Sequence, residues 1–320
     1  ALEGAIAGGE YNVAIGNYSL DALTSADNNV ALGYQAGGAL TTGGTNVLIG
    51  ALAASAGTMT GADNVIIGYQ SGKNMSSGHD SVFVGENAGR NMNTGSNNVV
   101  VGKDAGVDMT DDTDNVVIGY RAGNALTDSS NVIIGSDAAR QGTTHSANVI
   151  IGMNAAANGV VTGDNNVVIG KDAGLSFTSA NGNVVLGMEA GEAMASADGN
   201  TLVGFQAGKA LNYDGDSYNV MLGYQAGLSI TNAAYNTLIG GFAGDGYDTE
   251  SHNTAVGYLA LSGPVAGGEY NVAIGNYAGD AITSADLSVL VGYEAGTAIT
   301  TGTENMCIGA QAGQNLTTGT

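Results

Sequence analysis

The sequence predicts an all-β fold, a parallel β-solenoid (β-roll) of about 18 coils with a repeat of about 17 residues. Three observations predict it. A run N-V-x-Φ-G, where Φ is Ile, Leu or Val, recurs along the chain, with units starting at Asn12, Asn29, Asn46, Asn64, Ser81, Asn98, Asn115, Asn131, Asn148, Asn166, Asn183, Asn200, Asn219, Asn236, Asn253, Asn271, Ser288 and Asn305. Counted from that start as position 0, position 4 is Gly in all eighteen units and position 7 is Ala or Ser in all eighteen. The residues before each new start are mostly Gly, Ser, Asp and Asn, which is turn chemistry.

Each element follows from its place in the unit. The Asn at position 0 is expected to form a ladder, bonding from one coil to the next. Positions 1 to 3 read as a short strand, with positions 1 and 3 on one face and position 2 on the other. Gly at position 4 marks a bend where φ is positive or a neighbouring backbone comes too close for a side chain. The small residue at position 7 suits an inward corner. Position 11 is usually Leu, Met or Ile, as at Leu40, Met75, Met109, Leu126, Ile230 and Ile299. A second short strand is expected to carry position 7 and residues of positions 9 to 12. The expected core is therefore positions 1, 3 and 11, closed by position 7.

Position 2 then requires an explanation. It is apolar in every unit, so the strand does not alternate apolar with polar, and both of its faces need cover. One coil supplies one interior, so the sequence predicts an obligate homo-oligomer. Its seam would run along Leu48, Ile66, Phe83, Val100, Val117, Ile133, Ile150, Val168, Val185, Leu202, Met221, Leu238, Leu290 and Cys307, since an exposed stripe of this length exceeds what soluble monomers tolerate.

The stretch GGEYNVAIGNY occurs at residues 8–18 and again at residues 267–277, fifteen units apart and in register with the short repeat. A duplicated block of about fifteen units is expected, with residues 1–320 forming one continuous solenoid domain that is a window on a longer fibre protein. N-V-A-I-G at residues 12–16, N-V-A-I-G-x-x-A at residues 271–278 and N-V-A-L-G-Y-Q-A-G at residues 29–37 resemble the head repeats of YadA-type trimeric autotransporter adhesins. Those heads are trimers of left-handed parallel β-rolls built on a shorter S-V-A-I-G-x-x-A-x-A unit. The longer form N-x-A-I-G-Y-Q-A…T-G, with T-T-G at residues 41–43 and 317–319, is similar to repeats of phage tail-fibre proteins. The resemblance implies a homotrimer located extracellularly, at a cell surface or on a virion. It also implies a structural shaft or adhesive segment whose contact with a cell-surface glycan or host receptor runs through other parts.

Composition narrows the chemistry. A net charge of −22 argues against nucleic acid, and the sequence holds no apolar run of membrane-spanning length. One Cys excludes an intrachain disulfide framework. His79, His145 and His252 fall in turns several units apart, too distant to share a metal or a proton, and the glycines follow the coil period rather than a phosphate loop. No catalytic site is expected, and no cofactor, with calcium the one candidate. Its candidate ligands are the acidic edge of Asp27, Asp63, Asp80, Asp114, Asp164 and Asp198, which otherwise stays solvated. All seven Lys and Arg residues sit at positions 5, 6 or 9, so that turn faces solvent. Position 5 also carries Tyr34, Tyr69, Tyr120, Tyr224, Tyr258 and Tyr293, a row suited to packing or to stacking on sugars. Position 12 is Thr in eleven units, the kind of row a ligand- or ice-binding solenoid would present. The alternatives to a fibre segment are thus a self-assembling extracellular filament subunit and a solenoid that binds a ligand or ice through its Thr or Tyr row.

Overall fold

The computed structural model describes residue 2, residues 8–142, residue 144, residues 146–263 and residues 267–318. The fold is an all-β parallel solenoid in two compact units, Ala1–Thr162 and Gly163–Thr320. Among the described residues there is no helix.

The first unit contains nine strands of three residues, from β1 (Val13–Ile15) to β9 (Val149–Ile151). Each pairs in parallel with the next, and the same repeat position always faces itself, as in Val99↔Val116, Val100↔Val117 and Val101↔Ile118. The second unit repeats this from β10 (Val167–Ile169) to β20 (Met306–Ile308). It adds a small two-stranded parallel sheet of β12 (Ser196–Asp198) and β14 (Asp214–Asp216), beside the longest turn, Asn200 to Asn219. Elsewhere the expected second strand is replaced by turns, with one isolated bridge, Leu40↔Met59, among the described residues.

Backbone conformation explains why the strands are so short. In every turn the residues at positions −1, 6 and 8 have φ in the left-handed region, whether they are Gly or not. Asn, Asp, Ser and Gly supply nine of the eighteen −1 positions, and Asn, Asp and Gly are the types that tolerate this region best. At position 4 both reasons for glycine apply together. Gly85 has φ +139°, and a Cβ there would lie 2.5 Å from the carbonyl oxygen of Gly102 on the next turn.

The interior is built from positions 2, 7 and 11, so two expectations are corrected. The row expected at an oligomer seam, Leu48, Ile66, Phe83, Val100, Val117, Ile133, Ile150, Val168, Val185, Leu202, Met221, Leu238, Leu290 and Cys307, is buried inside the single chain. Positions 1 and 3, expected in the core, point outward. The cause is alternation along the strand: Asn at position 0 turns inward to its ladder, and position 2 must share its face. The Asn ladder itself forms as expected. Asn183 Oδ1 accepts the Asn200 backbone N–H at 2.8 Å, and its Nδ2 donates to Asn166 Oδ1 at 3.1 Å. These amides are buried, so each turn is keyed to the next by bonds that water does not replace.

An outward apolar sheet face with aromatic borders

Positions 1 and 3 hold Val, Ile, Leu, Met and three Thr, and no charged residue in any of the eighteen turns. Their side chains stand out from the sheet, as Val184 at 40% and Leu186 at 41% exposure show. Nine such turns give each unit a continuous uncharged apolar row on this face.

Aromatic rows flank the strands. Tyr34, Tyr69, Tyr120, Tyr224, Tyr258 and Tyr293 all remain exposed. In the second unit the position-5 and position-6 rings make one ladder over six turns: Phe205, Tyr224, Phe242, Tyr258, Tyr277 and Tyr293, with neighbouring centroids 5.1–6.2 Å apart. A second ladder runs at position −1, where His252 is stacked between Tyr235 at 4.9 Å and Tyr270 at 4.7 Å, and Tyr218 continues the row. This row is not among the sequence-predicted sites, although Tyr218, Tyr235 and Tyr270 each precede a unit start. His252 is thus a packed member of a ladder. His79 contacts Asp80 at 2.7 Å in an exposed turn, and His145 lies outside the described residues.

Two carboxylates of the acidic edge are bonded to backbone of the preceding turn. Asp27 Oδ1 accepts the Glu10 N–H at 2.6 Å and Asp198 Oδ1 the Asn181 N–H at 2.6 Å. Asp114 accepts from Asn97 Nδ2 at 3.1 Å, and the backbone N–H of Asp164 donates to Asn181 Oδ1 at 2.9 Å. Asp63 and Asp80 sit at position −1, where the backbone is left-handed. Among the described residues no three His, Cys, Asp or Glu side chains gather as a metal-binding group. The Thr row is likewise committed: Thr24, Thr283 and Thr300 hydroxyls each donate at 3.0–3.2 Å to a carbonyl of the next turn. Cys307 is a free, buried thiol, and burial pushes its pKa up.

Charge divides along the chain. Several bases pair with acids on the position-5, -6 and -9 turn: Lys103 with Glu86 at 2.9 Å, Arg121 with Asp137 at 2.9 Å, and Lys209 with both Glu189 and Glu192 at 2.6 and 3.0 Å. The bond to Lys209 holds the Glu189 carboxyl below the usual range. After Lys209 the sequence has no Lys or Arg at all. On that base-free stretch a cleft of about 390 Å³ opens at the end of the aromatic ladder, lined by Tyr277, Asp280, Tyr293, Glu294 and Thr297. Burial pushes the Asp280 carboxyl up, while hydrogen bonds from Gln311 and Tyr293 hold Glu294 low.

No protein-family model and no curated protein matches this chain. Among the described residues no helix is long and apolar enough to cross a membrane.

Proposed function

We propose that the chain is a structural segment of an extracellular or virion fibre, a homotrimer in which the position-1 and position-3 rows of each chain pack against those of its partners. The observation that carries this reading is the outward apolar face, uncharged through all eighteen turns. A second copy is the occupant that suits it best, because its rows repeat at the same rise of about 4.8 Å per turn and bring no unpaired charge to the seam. The role is mechanical. Asn amides and Thr hydroxyls are spent on bonds from turn to turn, which resist local opening, and the acidic flanks keep assembled fibres apart.

Sedimentation equilibrium tests the proposal. The expected mass is close to 95 kDa, three chains of 31.5 kDa. Replacing outward Val132 and Ile134 together by Glu should return a folded 31.5 kDa monomer, because neither side chain belongs to the interior. A wild-type chain that sediments as a stable monomer overturns the proposal, and so does a double variant that stays trimeric.

A further inference from the structure

Tyrosine rings of successive turns meet in two different ways. Among the described residues four tyrosine pairs touch. Tyr18–Tyr34, Tyr258–Tyr277 and Tyr277–Tyr293 meet edge to face, at 84°, 85° and 88°. Tyr218 and Tyr235 instead lean towards a stack, at 33° with centroids 6.0 Å apart, so each turns a π face to the other. Both rings are 49% exposed.

Their surroundings hold this pair in place. The −1 residue of the preceding turn is Gly199, where a Cβ would collide with the Tyr218 ring, so that ring lies against backbone on one side and Tyr235 on the other. Tyr235 is backed in turn by His252 at 4.9 Å. The Tyr218 hydroxyl donates to the carboxylate of Asp216, an exposed residue of β14, and that bond pushes the phenol pKa up. A carboxylate in this place has a chemical use. A phenol that loses an electron becomes a strong acid, and a hydrogen-bonded base takes its proton in the same step. Tyr293 has a comparable base in Glu294, but its ring meets Tyr277 edge-on. Two phenoxyl radicals couple by joining ortho carbons through their π lobes, which the leaning pair presents and the edge-on pairs do not.

We propose that Tyr218 and Tyr235 are the site of an oxidative cross-link, an ortho–ortho dityrosine bond between successive turns, made by a peroxidase-type oxidant with hydrogen peroxide. One electron leaves each ring. The Tyr218 phenol proton passes to Asp216 and the Tyr235 proton to water. A Cε of one ring bonds to a Cε of the other, and the hydrogen each of those carbons carried is replaced on its own phenol oxygen as the rings regain aromaticity. The two electrons and two protons removed reduce one hydrogen peroxide to two waters. The bond ties the end of the longest turn, Asn200 to Asn219, to the regular turn after it. It lies within one chain, so it stands apart from trimer formation.

The test is peptide mapping by mass spectrometry of the full chain after brief treatment with a peroxidase and hydrogen peroxide. The expected product is one peptide pair joined through Tyr218 and Tyr235, two hydrogens lighter than its parts, in chains that still run at 31.5 kDa in denaturant. Tyr235→Phe keeps the ring stack and should abolish the link, whereas Tyr258→Phe should leave its yield unchanged. Asp216→Asn keeps the side chain's shape and should slow the coupling several-fold. The proposal is overturned if no Tyr218–Tyr235 link forms, if Tyr258–Tyr277 or Tyr277–Tyr293 links form as fast, if the product is a covalent dimer rather than a single chain, or if Asp216→Asn couples at the wild-type rate.

Discussion

Asn183 makes five hydrogen bonds through its side-chain amide, as Asn46 does. Its Nδ2 donates to Asn166 Oδ1 at 3.1 Å, to the Asn181 carbonyl at 3.0 Å and to the Ala197 carbonyl at 2.9 Å. Its Oδ1 accepts from the Asn200 backbone N–H at 2.8 Å and from Asn200 Nδ2 at 3.1 Å. In Asn183→Ala the buried Asn200 N–H loses its acceptor, which costs about 1–3 kcal/mol, and each other lost bond costs roughly 0.5–1.5 kcal/mol net. The total is about 3–9 kcal/mol. Serine should be cheaper, because two turns of the native ladder already use it. Ser81 Oγ accepts the Asn98 N–H at 3.2 Å and donates to the His79 carbonyl at 3.1 Å, and Ser288 Oγ does the same with Asn305 at 3.3 Å and Asp286 at 3.2 Å. Asn183→Ser should therefore cost about 1.5–4.5 kcal/mol, through the lost bonds to Asn166, Ala197 and Asn200 Nδ2. Urea unfolding of the three proteins, with hydrogen exchange of the Asn200 amide, measures both effects. The reasoning is refuted if alanine costs less than about 1 kcal/mol, or if serine costs as much as alanine.

Two further outcomes follow from buried polar groups. The Tyr247 hydroxyl is buried with no hydrogen-bond partner, and burial drives its pKa far up. Phe177 occupies the same position 11 in another turn, fully buried. Tyr247→Phe should therefore raise stability by about 1–3 kcal/mol, and an unchanged or lower urea midpoint would count against the hydroxyl being unsatisfied. The Asp112 carboxyl, 6% exposed, is pushed above its ordinary value of 3.8 by burial. The native state thus holds its proton more tightly than the unfolded chain, so this group's contribution to stability falls as pH rises through the window above 3.8. Asp112→Asn should remove that decline and be more stable than wild type at pH 7, while Asn Oδ1 keeps an acceptor for the Thr110 N–H. Equal midpoints for the two proteins at pH 7 would contradict the assignment.

The turns were legible in the sequence because each has its own stereochemical demand. Gly at position 4 has to answer both a positive φ and the next turn's carbonyl, so no other residue appears there, and the repeat length could be read directly from it. The strand faces were harder to read, because Val, Ile and Leu fill positions 1, 2 and 3 alike and alternation alone does not say which face is inside. Two signals in the sequence do distinguish them. Thr enters this triplet at position 1, as Thr201, Thr237 and Thr254, whereas position 2 admits Phe83, Met221 and Cys307 but never a hydroxyl or an amide. A ladder of Asn at position 0 also fixes the inward direction by itself, since positions 0 and 2 point the same way. Assigning positions 1 and 3 to the core was incompatible with that ladder. The cleft was legible only in part. The disappearance of Lys and Arg after Lys209 is plain in the sequence, but Asp280, Tyr293 and Glu294 meet Tyr277 because consecutive turns stack in register, and that juxtaposition has no counterpart in any local pattern. In a solenoid the units of chemistry are columns across turns. Sites in such a chain are therefore found by aligning the turns and reading down each position, where a change of charge or ring content stands out against the repeat.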